Sequence, residues 1–175
     1  MNTIEQQQTA VPAGTWQADT VHSSVGFEVG YLGISTFSGE FKGFEASLTD
    51  GELTGKAPVT SIEVKDENLY GHLLAPEFFD AERHPELSFS GTATAPGAFE
   101  GEITIKGVTK PATLAGTVSG PVTDAYGNER IALRLETVID RTEFGIDWNA
   151  PLPSGGFALA NDVKLKAELT LVKAA

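Results

Sequence analysis

Cysteine is absent from these 175 residues, which excludes a disulfide framework, thiolate metal ligation and a cysteine nucleophile while leaving the redox compartment open. Positive charge is scarce: 12 Lys and Arg stand against 24 Asp and Glu, a formal net charge of -12. A field of that sign repels phosphate backbones and anionic membrane surfaces, so no nucleic-acid partner is expected. No apolar run approaches the roughly eighteen residues of a membrane-spanning helix, so no transmembrane segment is expected and any lipid contact must be internal. Catalytic signatures are missing as well. There is no G-x-S-x-G elbow, no phosphate-binding loop, no H-E-x-x-H and no dinucleotide fingerprint. His22, His72 and His84 are scattered, none with a second His or a carboxylate at i+3 or i+4, so neither a metal nor a catalytic cofactor is expected, and the chain reads as a non-enzyme. Met1 to Gly14 lacks the basic and apolar regions of a secretory leader, which leads to the expectation of a cytoplasmic protein.

What is present is period-two alternation. The length suits one well-buried core. Residues 1–13 read as a flexible tail ending in the breaker cluster Val11-Pro12-Ala13-Gly14, and residues 14–175 as the domain. Apolar residues then alternate through Val25, Phe27, Val29 and Tyr31; Phe37 and Phe41; Leu87 and Phe89; Ile103 and Ile105; Ala112, Leu114 and Val118; Ile131, Leu133, Leu135 and Ile139; and Val163, Leu165, Ala167, Leu169 and Leu171. Between Phe41 and Phe44 the parity switches at Gly43, which predicts a bulge or bend. Turn residues at Asp50-Gly51, Ala95-Pro96-Gly97, Lys106-Gly107 and Tyr126-Gly127-Asn128 separate the strands. The one interruption is Asp66 to Asp80, where Asp66 or Asn68 could cap a short helix near 66–75 carrying Leu69, His72 and Leu73, stopped by Pro76. The expected fold is all-β: a single extended, eight-stranded, antiparallel up-and-down barrel. At that strand number the interior can hold one small ligand.

If the barrel is hollow, its walls are Phe27, Val29, Phe41, Leu73, Phe78, Phe79, Phe89, Ile103, Ile105, Leu114, Leu133, Ile139, Phe144 and Trp148. Three polar groups stand at the mouth or a corner, each with two readings. His22, between Asp19 and two serines, is a general base or a corner brace. Asp140 and Arg141 are a bracing pair or an anchor for a ligand head group. Trp148, in a Pro- and Gly-rich loop, caps the barrel or lines its mouth. Alternation alone does not separate a cavity from a filled core, so a filled structural or stress-response module and an enzyme acting on a hydrophobic substrate stay open beside a binding protein.

Several short motifs occur in order across Gly14 to Val172: Trp16 with Asp19, His22-Ser23 with Phe27, Phe41-Lys42-Gly43-Phe44, His72-Leu73 with Phe78-Phe79-Asp80 and Pro85, Ile105-Lys106-Gly107-Val108-Thr109-Lys110, and Asp140-Arg141 with Phe144-Gly145. Together they resemble the YceI-like family. The resemblance implies an elongated, lipocalin-like barrel that binds a long isoprenoid or similar amphiphilic lipid, such as a polyprenyl chain or isoprenoid quinone, without known catalytic residues. It also implies a homodimer. Such a ligand suits the energetics, because each buried methylene contributes about 0.8 kcal/mol before ordering costs.

Overall fold

Two-residue turns in left-handed backbone set the meander. Asp50 and Gly51 have φ of 47° and 87°, and Lys106 and Gly107 have 52° and 75°. Turns of this hand match the right-handed twist of the strands they join. The computed structural model describes residues 11–174. In chain order they form β1 (Thr15–Ala18), β2 (Ser24–Tyr31), β3 (Ser35–Phe41), β4 (Glu45–Thr49), β5 (Glu52–Pro58), β6 (Ile62–Glu63), α1 (Glu67–Leu74), β7 (Glu86–Ala95), β8 (Ala98–Ile105), β9 (Val108–Thr123), β10 (Glu129–Asp140) and β11 (Leu159–Lys173).

These segments close into eight staves, because three staves are each made of two segments. The long β11 pairs at its start with β2 (Leu165 opposite Phe27) and at its end with β1 (Trp16 opposite Lys173). β1 and β2 are therefore one strand broken at a corner. β3 and β4 form the next stave, β3 pairing with β2 and β4 with β1. The break between them falls at Lys42 to Phe44, the site of the expected bend, where the Lys42 N–H donates to the Ser61 carbonyl at 3.0 Å. β5 and β6 are the third; β7, β8, β9, β10 and β11 complete the antiparallel ring. The stave count agrees with the sequence reading, which nevertheless passed over β5, whose inward positions Leu53, Gly55 and Ala57 include two small residues and so give little apolar alternation.

The corner between β1 and β2 is a cap. Asp19 accepts from the Val21 N–H at 3.0 Å and the His22 Nδ1 at 2.7 Å, and takes the Arg130 Nη1 at 2.8 Å. Arg130 also donates through Nε to Asp124 at 2.7 Å, which ties the corner to the β9–β10 turn. α1 begins where Asp66 accepts from the Asn68 and Leu69 amides at 2.7 and 3.1 Å, and gives way at Ala75 before Pro76. Of the expected tail, residues 1–10 lie outside the described residues. Val11 packs against the core and the Ala13 carbonyl accepts from the Trp16 indole at 3.1 Å, so contact with the barrel begins ahead of Gly14.

The interior is uneven along the barrel axis. At the end bounded by the Asp50–Gly51 and β9–β10 turns, Trp16, Leu48, Phe99, Val118, Leu133 and Leu171 are sealed from solvent and packed together. At the other end the β10–β11 connection, α1 and the segment 75–85 fold over the barrel. A one-turn 3₁₀ helix, Arg141–Phe144, opens that connection. Lys106 Nζ pins the roof, donating to the Pro76 carbonyl at 2.6 Å and the Gly145 carbonyl at 3.0 Å.

Candidate ligand cavity

A cavity of about 460 Å³ lies beneath this roof, within the range of roughly 300 to 1,000 Å³ typical of small-molecule sites. The barrel is therefore not filled at this end. Nine of the residues expected to line a cavity are on its wall: Phe27, Val29, Phe41, Leu73, Phe78, Phe79, Ile105, Ile139 and Trp148. A second, narrower void of about 110 Å³ continues toward the barrel's middle and takes in Phe89, Ile103 and Leu114. Phe41, Leu87 and Leu165 border both voids, so the two are neighbours with these side chains between them. Leu133 and Phe144, also expected on the wall, border neither void: at 0% and 2% exposure they are packed solid, Leu133 opposite Val118 and Leu169, Phe144 inside the roof.

The wall's geometry follows from strand parity and from aromatic contacts. Phe27, Val29 and Tyr31 alternate inward on β2, and Val163 and Leu165 face them from β11. The Phe27 ring lies where a side chain on Gly39 would stand: a Cβ built there would meet it at 2.9 Å, so glycine is what lets the ring swing across the wall. Phe27 meets Phe37 edge-on with ring centres 5.8 Å apart, and Phe41 meets Phe79 likewise at 6.0 Å. Under the roof, His72 packs edge-on against both Phe78 and Trp148 at 4.7 Å, with its Nε2 3.2 Å from Glu77. Tyr31 and Trp148 remain partly exposed on the wall, and Leu32, Ile34 and Phe157 are exposed on the adjoining loops, giving the mouth an apolar rim.

Among wall residues that the sequence reading left out, Tyr31, Phe37, Leu87, Val163 and Leu165 carried the inward parity that could have nominated them. Ile146, Ala150 and Ala158 sit in the β10–β11 connection, where no periodicity exists to mark them.

The polar residues separate. His22 stays on the outside: its side chain is 66% exposed, it borders neither void, and its hydrogen bond to Asp19 makes it part of the corner. Asp140 turns its carboxylate to the amide and hydroxyl of Thr142, at 2.9 and 2.6 Å, capping the 3₁₀ turn. Those bonds hold its pKa below the ordinary aspartate value. The expected Asp140–Arg141 brace is thus two separate devices.

Arg141 borders the cavity and is 4% exposed. Its Nε donates to the Ala160 carbonyl at 2.8 Å, and its Nη1 to the carbonyls of Ile146 and Trp148 at 2.8 and 2.9 Å. It thereby staples the roof loop to β11. Its Nη2 is buried and has no hydrogen-bond partner, an omission that costs about 1–3 kcal/mol or more for a charged donor. Burial lowers the guanidinium pKa, with Asp140 and Asp147 opposing the shift.

Among the described residues no group of three or more His, Asp or Glu side chains is placed to hold a metal ion. No helix among them is long and apolar enough to cross a membrane.

Fold and cavity together define an up-and-down β-barrel with an apolar interior open to a ligand. The sequence model of the YceI-like domain matches residues 16–171, and the chain belongs to the YceI-like family. It is 29% identical over 137 residues to a UPF0312 protein of Pseudomonas putida (strain W619), covering 71% of each chain. It is also 29% identical over 158 residues to a UPF0312 protein of Staphylococcus aureus (strain USA300), covering 85% of this chain and 92% of that one. Among solved structures, the YCEI protein of Campylobacter jejuni superposes with a TM-score of 0.70 at 24% identity, over 90% of this chain and 96% of the other. A polyisoprenoid binding domain from Saccharophagus degradans superposes with a TM-score of 0.72 at 13% identity, over 91% and 98%. At these identities the superpositions establish the fold.

Proposed function

We propose that this protein binds the chain of a long isoprenoid or related amphiphilic lipid inside the barrel, as a non-catalytic carrier, store or sensor. The observation that carries this reading is the pair of neighbouring apolar voids inside the barrel, the roofed cavity and the narrower one behind it, parted only by Phe41, Leu87 and Leu165. A compact metabolite needs one chamber, whereas an extended hydrocarbon fills two in line. Branched prenyl units also suit a wall of phenylalanine rings met edge-on, where contact area rather than hydrogen bonding supplies the affinity. The Saccharophagus degradans domain, described as polyisoprenoid binding, supports the same reading by its shared fold.

An acid–base role for His22 or for the Asp140 carboxylate finds no support in the geometry, since neither borders the cavity. Native mass spectrometry of gently purified protein, followed by titration with polyprenyl lipids, tests the proposal. It expects a co-purified or titrated lipid bound one per barrel. Protein that carries no ligand and takes up no prenyl lipid would refute it.

A further inference from the structure

We propose that the apolar rim of the barrel mouth docks the protein on the surface of a lipid bilayer that carries no net charge, with the turn tips at Leu32 to Ile34 and at Phe157 entering its interface. The inference rests on the lipid-binding reading and adds the place where a ligand enters and leaves. Charge and the lack of a spanning helix put lipid contact inside the barrel; the rim adds a shallow contact outside it.

The rim is built from two turns held side by side. The Leu32 N–H donates to the Ala158 carbonyl at 2.7 Å. Asn149 closes the base of the second turn, accepting from the Leu159 amide at 2.8 Å and donating to the Leu159 carbonyl at 2.7 Å. The tips stand in solvent: Ile34 is 85% exposed and Phe157 64%. Leu32 has φ of 57°, a left-handed conformation that Asn, Asp or Gly adopts at less cost. A turn that served only to join β2 and β3 would have no use for an exposed leucine there. Tyr31 and Trp148, side-chain types that settle at membrane interfaces, complete the rim and also line the cavity.

Charge marks the rim off from the rest of the surface. Asp, Glu, Lys and Arg make up 21% of the chain, yet residues 29–39 and 148–161 contain none. The charged residues that bracket these spans, Glu28, Glu40, Asp147 and Asp162, are all acidic. An anionic surface would therefore be repelled, and an uncharged one would meet only apolar and neutral groups. The exposed apolar residues at the sealed end differ, since Val21, Val122 and Tyr126 stand around the ion pairs of Arg130 with Asp19 and Asp124. Area argues against a second copy of the chain as the occupant. The five rim residues together expose roughly 600 Å², below the about 800 Å² per partner of a stable protein interface, and they stand on turn tips, not on a flat face.

Flotation with phosphatidylcholine vesicles tests the proposal, in the wild type and in a double variant, Ile34→Asp with Phe157→Asp. The wild type should float with neutral vesicles and progressively less as phosphatidylglycerol is added, with salt restoring the binding. The double variant should bind neutral vesicles at least about tenfold more weakly, while melting as the wild type does and taking up a detergent-dispersed polyprenyl lipid equally well.

Because the chain has no cysteine, an environment-sensitive dye can be placed on Ser154→Cys in the rim loop or on Tyr126→Cys at the other end. Neutral vesicles should blue-shift the first dye alone, a readout that stands whatever the fate of the double variant. Wild type that stays out of the vesicle fraction, a double variant that binds as the wild type does, or equal shifts of the two dyes overturns the docking while leaving lipid binding intact. So does a rim substitution that abolishes self-association of a wild type that ignores vesicles, which would make the occupant a second copy. Docking without uptake of any dispersed polyprenyl lipid overturns the lipid-binding reading, and the rim's contact with the bilayer stands.

Discussion

The two ends of this barrel are built from the same alternation and end up with opposite character. At the sealed end, Trp16 lies opposite Leu48 and Leu48 opposite Leu53, with Phe99, Val118 and Leu171 filling the section, all at 3% exposure or less. At the roofed end, inward residues of the same kind, among them Phe27, Val29 and Ile105, surround empty space. The difference is not composition. The sealed end is closed by short turns and one large ring, the Trp16 indole held by the Ala13 carbonyl and overlain by Lys173 at 5.8 Å. The roofed end is closed by long connections that arch over the opening and do not plug it. One end provides stability, and the other is free to hold something else.

Mutations at the two ends should therefore behave differently. Phe99→Ala, at 0% exposure in the packed section, should destabilise the fold by about 3–5 kcal/mol. Phe79→Ala beside the void should cost less, roughly 1.5–3 kcal/mol, because part of its surroundings is already empty. Chemical denaturation of both variants checks the order, and equal losses would erase the distinction between the ends. Next in size is Val163→Phe, which adds bulk to the wall opposite Val29. It should weaken prenyl-lipid binding about tenfold or more while changing stability by less than about 1.5 kcal/mol, as read by paired titration and thermal melts.

Smaller effects belong to the corner outside the barrel. Asp19→Ala removes the cap on the Val21 amide and should cost about 1 kcal/mol, with lipid binding unchanged. The same corner sets an acid limit. Arg130 holds Asp19 well below the usual carboxylate range and Asp124 down to about 2. A carboxylate whose pKa is depressed by folding contributes stability above its unfolded value, about 3.9, and loses it as pH falls through the folded value. Melting temperature should thus fall between about pH 4 and pH 2, and fall less steeply in Arg130→Met. Identical slopes would remove Arg130 from the account.

The sequence made the barrel legible wherever both faces of a strand had something to say. β2, β10 and β11 alternate large apolar with polar residues, and their inward parity was visible at once. β5 was missed because Gly55 and Ala57 are too small to register, although Gly55 and Phe89 sit opposite each other in the sheet. The wall residues of strands and of α1 could be nominated, but which of them face a void and which face a neighbour was not readable. Leu133 and Ile139 share one strand and one parity, yet Leu133 is packed and Ile139 borders the cavity. That outcome depends on what closes each end, and the roof is loop, where no period speaks. In the sequence Arg141 stands out by its neighbour Asp140; its partners in the fold are backbone carbonyls, which no side-chain pattern announces.

The chain has two tryptophans, and they stand one at each end: Trp16 in the packed section and Trp148 on the cavity wall. Titrating a brominated polyprenyl lipid into Trp16→Phe and Trp148→Phe reads each end separately through fluorescence quenching. The account predicts saturable quenching of Trp148 and little change at Trp16. Equal quenching of both, or quenching of Trp16 alone, would contradict it.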